Sequence, residues 1–519
     1  MSAQATQVSG VRAATPWIVA LTVTLATFME VLDSSIANVA LPHIAGNLSA
    51  SSSQSTWVLT SYIVANSIVL PISGWLSSLI GRKRFYMLCV AMFTISSLLC
   101  GLAPSLGWLI FFRVLQGLGG GGLAPTEQAI LADSFPPAQF GMAMAIYGMG
   151  VVAAPILGPT LGGLLTDHFS WRWIFLINIP VGIVSLALTA KLIQDPPDFQ
   201  RIDLSKGFKF DYIGLGLIAL ALSAFQIVLD KGQELDWFSS TLIGGLGVVA
   251  VVALAAAVYW ELKTQDPIVE LRLMGERNFA ICILLMFALG AVLNGSNLLL
   301  PQFLQAMMGY TATLAGYSMS PSGFVLMALM PVSGLLVAKV QPRWIIATSF
   351  LILAYGMWLS RGITLGIDMH YAIWTRIVTS IGLPGLFIPI NVAAYAFVPP
   401  GKNSAASGLI NLSRNLGGSV GISVITTMLD RRAQFHQARL IEAMTPLNPA
   451  YRNLLSSVQH MASGAHAGMA IIYNQVQVQA NLMSYSDGFQ IMVVMSLAAV
   501  PLALLLKSVD SSKASVSVH

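Results

Sequence analysis

Two acids, Glu30 and Asp33, stand three residues apart inside the apolar stretch Trp17–Pro42, WIVALTVTLATFMEVLDSSIANVALP. That stretch satisfies the ~20 apolar residues a bilayer-crossing helix requires. A carboxylate within a span costs roughly 2.5–3.5 kcal/mol on insertion scales. Such a side chain needs either a proton or a cationic partner. An i,i+3 spacing sets the two acids about 60° apart on one helix face, which must point at protein or water. The chemistry these residues offer is reversible proton binding, and a purely structural ion pair is the alternative.

Arg113 is the expected partner. Asp33 lies about 24 Å along the helix from Trp17, and Arg113 about 10 Å below the outer face on a descending helix. The two therefore reach similar depth. The same helix carries Glu127 about 21 Å deeper and about 40° away in azimuth, so Arg113, Gln116 and Glu127 share one face, the expected wall of a cavity. For Glu127, snorkelling to the cytoplasmic surface is the alternative. A drug cavity is lined by apolar and aromatic side chains with a few polar anchors. The candidates are Asn38, Gln116, Glu127, Asn294, Asn297, Asn391, Asn411 and Arg414. Each amide has the alternative of hydrogen bonding between helices.

The elements that position these groups follow from composition. Of 519 residues, 56% are hydrophobic and 9% charged, against about 25% charged in soluble domains. The expected class is an all-α polytopic membrane protein embedded in a lipid bilayer. The net charge of +5 reads as loop topology, with no nucleic acid partner. No GxxxxGK[ST], GxSxG or HExxH pattern occurs, and the three cysteines are scattered in apolar runs. ATP drive, nucleophilic catalysis, metal sites and cofactors are therefore not expected, nor an enzyme. The run Gly119–Gly122 lies inside a span and reads as close helix packing. The first apolar run is too long and too acidic for a cleaved signal peptide.

Fourteen apolar runs are expected as spans. With the N-terminus inside, most of the 26 Lys and Arg fall on the cytoplasmic side, among them Arg82, Lys83, Arg84, Lys191, Arg201, Lys206 and Lys209. Both termini are then cytoplasmic. A polar connection from Asp430 to Asp487 holds no span and reads as a long external loop with patches able to form amphipathic helices. The halves echo one another: Gly74-Trp75-Leu76 resembles Gly334-Leu335-Leu336, and Arg113–Gly119 resembles Arg376–Gly382. Weak repeats of this kind mark transporters built of two related bundles. The expected domains are residues 1–200 (six helices), 201–270 (two inserted helices) and 271–519 (six helices with a periplasmic loop at about 430–487).

Several of these stretches resemble motifs of the fourteen-span drug:proton antiporters of the major facilitator superfamily. Leu32–Pro42 resembles the first-helix motif, Arg113–Gly117 the fourth-helix motif tied to proton coupling, and Ala154–Gly163 the antiporter motif of helix five, with Pro155, Gly158, Pro159, Gly162 and Gly163. Trp171–Pro180 is also typical. Between the second and third helices Gly74, Gly81, Arg82 and Lys83 fit the loop motif, while Ser78 and Leu79 replace its Asp and Arg. Leu229–Ser240 and the long last loop resemble the inner-membrane permeases of tripartite pumps. The resemblance implies export of amphipathic drugs in exchange for protons through Glu30, Asp33 and Arg113. It also implies an inner-membrane location, a periplasmic adaptor and an outer-membrane channel. A proton-coupled importer, or an exporter of one metabolite, on the same fold is the alternative.

Overall fold

The structure is a computed structural model that describes residues 15–508 except 196–210, 266, 400, 443, 446 and 462–464. Arg12 and the basic link with Arg201, Lys206 and Lys209 lie outside the described residues. The first half comprises α1 (Pro16–Asn47), α2 (Trp57–Ile80), α3 (Arg82–Gly101), α4 (Leu106–Gly120), α5 (Leu123–Ser134), α6 (Pro137–His168) and α7 (Asn178–Leu192). Two helices follow, α8 (Tyr212–Lys231) and α9 (Thr241–Lys263). The second half comprises α10 (Arg277–Ala306), α11 (Ala312–Val337), α12 (Pro342–Ser360), α13 (Met369–Gly382), α14 (Pro384–Tyr395), α15 (Asn403–Glu442), α16 (Pro449–Met461) and α17 (Ala465–Leu504).

Among the described residues 13 helical stretches are long and apolar enough to cross a membrane, with α4–α5 and α13–α14 each counting as one. The remaining expected span is α15. Its Gly, Ser, Asn and Arg414 content makes it less apolar, yet it packs along α2, α5, α10 and α17. A polar helix is admissible at membrane depth when protein surrounds it.

The pairings repeat between the halves. In the first, α1 packs on α6 and α7, α4 on α2 and α3, and α3 on α7. In the second, α10 packs on α15 and α17, α13 on α11 and α12, and α12 on α17. Each half breaks its fourth span near its middle, at Gly121–Gly122 and at Leu383 before Pro384. Proline at position 384 lacks the N–H a continuous helix would use. The architecture is two six-span bundles with α8 and α9 inserted. The inserted pair pack on each other, and α8 seals the seam by lying on both α2 and α15.

The halves meet through α2 with α15, α5 with α15, and α6 with α11 and α14. Gly74 makes the first contact possible, because a Cβ there would stand 2.6 Å from the backbone of Ala405. Asn411 Nδ2 donates to Gln128 Oε1 (2.9 Å), and Ser407 Oγ to the Pro125 carbonyl (2.6 Å).

Where the sequence predicts a long loop over 430–487, the structure is largely helical. The helix α15 runs on to Glu442, α16 occupies Pro449–Met461, and α17 begins at Ala465. The reason is a small apolar core of its own. Val458, Ile472 and Val476 are buried, with Leu440, Met444, Tyr451 and Leu455 packed against them. Arg432 Nε (2.6 Å) and His436 Nε2 (2.7 Å) anchor its base on Asp487.

Candidate functional site

The glycine run of α4 presses that helix against its neighbours. A Cβ on Gly117 would come within 2.4 Å of the Tyr62 carbonyl, and one on Gly119 within 2.7 Å of the Phe93 backbone. No side chain fits there, so α4 lies close enough to α2 and α3 to deliver Arg113 to the interior. The glycines serve packing, as their place within a span implied.

Asp33 and Arg113 meet. Asp33 is 2% exposed and Arg113 is 0% exposed, and Arg113 Nη1 donates to Asp33 Oδ2 at 2.5 Å. Gln116 Nε2 (2.9 Å) and Asn178 Nδ2 (2.8 Å) both donate to Asp33 Oδ1. Asn178 and Gln116 also reach Ser97 Oγ, at 3.0 and 3.3 Å, and Ser97 in turn donates to the Phe175 carbonyl (2.8 Å). Arg113 donates further to Gln116 Oε1 (2.8 Å) and to the Val58 carbonyl (3.0 Å), leaving Nη2 without a partner. Its guanidinium carbon sits 4.3 Å from the Tyr62 ring centroid. Both carboxylate oxygens thus accept hydrogen bonds, one of them from a guanidinium, the stronger charge-assisted kind.

Glu30 shares the helix face but has different partners. It accepts from Tyr62 Oη (3.2 Å) and Asn66 Nδ2 (3.0 Å). Tyr62 therefore links the two sites, by its ring under the Arg113 guanidinium and by its hydroxyl on Glu30. Glu30 is half-buried, and Arg414 of the opposite half acts on it electrostatically. The sequence offered no signal for Tyr62, Asn66 or Ser97. Asn178 stood inside a quoted motif without a role.

Glu127 does not join Arg113 and Gln116 on a common wall, and it does not snorkel. Its hydrogen-bond partners are Thr27 and Tyr86, and it shares none of them with Arg113 or Gln116. Glu127 is fully buried and accepts from Thr27 Oγ1 and from Tyr86 Oη (3.0 Å). It ties α5 to α1 and α3. Among the described residues it forms no ion pair.

The expected cavity anchors divide. Gln116, Glu127, Asn391 and Asn411 are fully buried and so do not line an accessible cavity in this state. Asn411 belongs to the contact between halves, and Asn391 Nδ2 bonds its own helix at the Phe387 carbonyl (2.7 Å). Asn38 and Asn297 are exposed, while Asn294 and Arg414 are half-buried. A cavity of about 550 Å³ lies elsewhere, at the seam that α8 closes; Ile63, Leu229, Asp230, Ile422, Asp430 and Tyr485 are among its lining residues.

The loop-motif residues gather where the halves close. Gly81 adopts φ +94°, the left-handed region, and so turns the chain from α2 into α3. Arg82 pairs with Asp133 at the end of α5, and Asn403 Nδ2, at the start of α15, donates to Asp133 Oδ1 (2.5 Å). Lys83 donates its backbone N–H to Asp195 Oδ1 (2.7 Å) and its Nζ to the Ala190 carbonyl (2.7 Å). The acid that Ser78 and Leu79 cannot supply comes from α5. On α6, a Cβ at Gly158 would stand 2.2 Å from Ser35 Oγ and one at Gly162 3.1 Å from Ile36. This ridge seats α6 on the helix that carries the two acids. Gly163 faces open space and Pro155 is exposed. The side chain of Pro159 lies outside the described residues.

Two repeated helical bundles with buried charges at their interior define a polytopic carrier fold. Residues 23–422 match the Major Facilitator Superfamily, and the chain belongs to it. It is 38% identical over 473 residues to the Multidrug export protein EmrB of Escherichia coli K12, covering 91% of each chain. It is 37% identical over 495 residues to the Fatty acid resistance protein FarB of Neisseria gonorrhoeae, covering 95% of this chain and 96% of that one. The solved structure of the proton:xylose symporter XylE superposes with a TM-score of 0.60 at 13% identity, covering 96% of this chain and 97% of the other. That likeness is one of fold.

Proposed function

We propose that this protein is a proton-driven exporter of amphipathic compounds in the bacterial inner membrane, with both termini cytoplasmic. The observation that carries the coupling is the Asp33–Arg113 pair, buried among Gln116, Asn178 and Ser97 in the middle of a two-bundle fold. The similarity to multidrug export proteins over nine-tenths of the chain supports the direction and the substrate class.

The geometry supplies a coupling step. Two donors fill Oδ1 of Asp33 and the Arg113 guanidinium holds Oδ2, so a proton taken up on Oδ2 competes directly with Arg113. A neutral carboxyl holds Arg113 less strongly than a carboxylate does. The released guanidinium, confined between Tyr62 and Phe175, then favours a different arrangement of α4 against α1. Glu30 is the auxiliary acid, because its hydrogen bond from Tyr62 links it to the ring on which the Arg113 guanidinium lies. The α2–α15 and α5–α15 contacts close the end that bears Arg82 and Lys83, and with that end cytoplasmic the corresponding state is outward-facing. Protonation shifts the population away from it by differential affinity for the proton.

The helical extension built from the ends of α15 and α17, with α16, is the surface for a periplasmic adaptor that leads to an outer-membrane channel. The test of the coupling role is Asp33→Asn in proteoliposomes with an imposed pH gradient. Gradient-driven drug accumulation should be lost while the protein inserts normally, and Glu30→Gln should reduce it less. Full accumulation by Asp33→Asn would sink the coupling assignment.

A further inference from the structure

The second half keeps the arginine of the first half and lacks its acid. Arg376 on α13 occupies the place that Arg113 occupies on α4, and Ser296 on α10 stands 80 residues before it, the interval that separates Asp33 from Arg113. Arg376 is 7% exposed. Its Nη1 donates to Ser296 Oγ (3.2 Å), its Nη2 to Asn297 Oδ1, and its Nε has no partner. Among the described residues it forms no ion pair. An arginine side chain cannot shed its proton as a buried acid can take one up. Neutral oxygens stabilise the guanidinium but do not cancel its charge, and an uncompensated buried charge is unfavourable by several kcal/mol.

Access distinguishes this site from the Asp33 pair. Asn297, whose carbonyl oxygen caps Nη2, is exposed, so the guanidinium lies one side chain behind an open surface. An arriving anion has only to displace or join that amide. The unpaired Nε provides a second donor beside Nη2, and a carboxylate accepts such a pair in fork geometry. Ser296 holds the third nitrogen and keeps the head in place.

We infer that Arg376 is an anion site which takes the carboxylate head of an amphipathic compound, or a small inorganic anion, past Asn297. Its anion does the work in the second half that Asp33 does in the first. Nothing in this site depends on the direction of transport.

Binding to the full-length protein in nanodiscs of zwitterionic lipid, without a gradient, provides the test. Radiolabelled decanoate at pH 8, where the carboxyl is ionised, is compared with decanol of the same chain length. The wild type should bind decanoate at least about tenfold more tightly, the worth of one charge-assisted hydrogen bond. Arg376→Gln should abolish the preference and Arg376→Lys should keep part of it. Asn297→Asp supplies the missing anion from the protein itself, so it should fold even if Arg376→Gln does not. It should raise the melting temperature and remove the preference for decanoate. Chloride, against gluconate as control, separates the two sources. Competition by chloride at millimolar concentration identifies a small-anion site, and its absence identifies an amphipathic carboxylate site. Equal binding of decanoate and decanol to the wild type, or an intact preference in Asn297→Asp, overturns the inference.

Discussion

At Asp33 three side-chain donors, from Arg113, Gln116 and Asn178, surround the acidic charge of the buried pair. Removing Arg113 alone leaves that charge buried, at a typical loss of about 3–5 kcal/mol in soluble proteins. Arg113→Ala should therefore lower the yield of folded protein, measured by size-exclusion in mild detergent. The double variant Asp33→Asn with Arg113→Gln should recover it, since amide pairs with amide. Failure to recover would separate the pair. Glu127 makes a different prediction, because Thr27 and Tyr86 are its partners and no cation is. Glu127→Gln retains an acceptor and should preserve both melting temperature and transport. Glu127→Ala removes the acceptor of the Thr27 hydroxyl and the shorter of two acceptors of the Tyr86 hydroxyl, at about 1–3 kcal/mol for an unmet buried donor, and should lower the melting temperature. A transport defect in Glu127→Gln at unchanged stability would contradict a purely structural tie.

Between elements, the decisive contacts are backbone to backbone. Gly74 brings α2 onto the start of α15, and the atoms a side chain would strike belong to the backbone of Ala405 and Ser404. Backbone cannot rotate away as a flexible side chain can. Gly74→Val should thus prevent closure at the Arg82 end and favour the opposite facing. Maleimide labelling of Ser407→Cys checks this, since Ser407 is fully buried in the closed contact. Labelling should be slow in the parent and fast with Gly74→Val. Native Cys89, Cys100 and Cys282 are buried and should contribute little background. Unchanged labelling would show that α2 and α15 accommodate the added bulk.

For the whole molecule, the extension beyond α15 has its own apolar core yet leaves Leu447, Ile441, Met469, Ile471 and Tyr473 exposed. A hairpin joining two spans needs only about 4–6 connecting residues, so this structure exceeds the demand of connectivity. Replacing residues 434–481 by a short Gly/Ser linker should abolish drug resistance in a Gram-negative cell and co-purification of an adaptor. Transport in proteoliposomes should persist, because the Asp33 site and the α2–α15 contact remain. Full resistance together with a retained adaptor would reduce the extension to a tether.

The sequence by itself determined the membrane class, the two related bundles, the pairing of Asp33 with Arg113 and the packing use of the Gly119–Gly122 run. These follow from hydropathy, from the energetic penalty of charge in hydrocarbon, and from rise per residue, all of which are local or one-dimensional. The helical state of residues 430–487 was only hinted at by amphipathic patches, since the apolar residues that bury together there lie on separate helices. Tertiary structure alone decided that Glu30 and Asp33 serve different partners, with Tyr62 joining Glu30 to Arg113. It decided that Glu127 meets Thr27 and Tyr86, residues of α1 and α3 that no spacing along its own helix could name. It also decided that Asp133 meets both Arg82 and Asn403, and that Arg376 forms no ion pair among the described residues. Which side chains meet across helices distant in the chain depends on helix breaks and close backbone approaches, and periodicity along one helix carries no record of either.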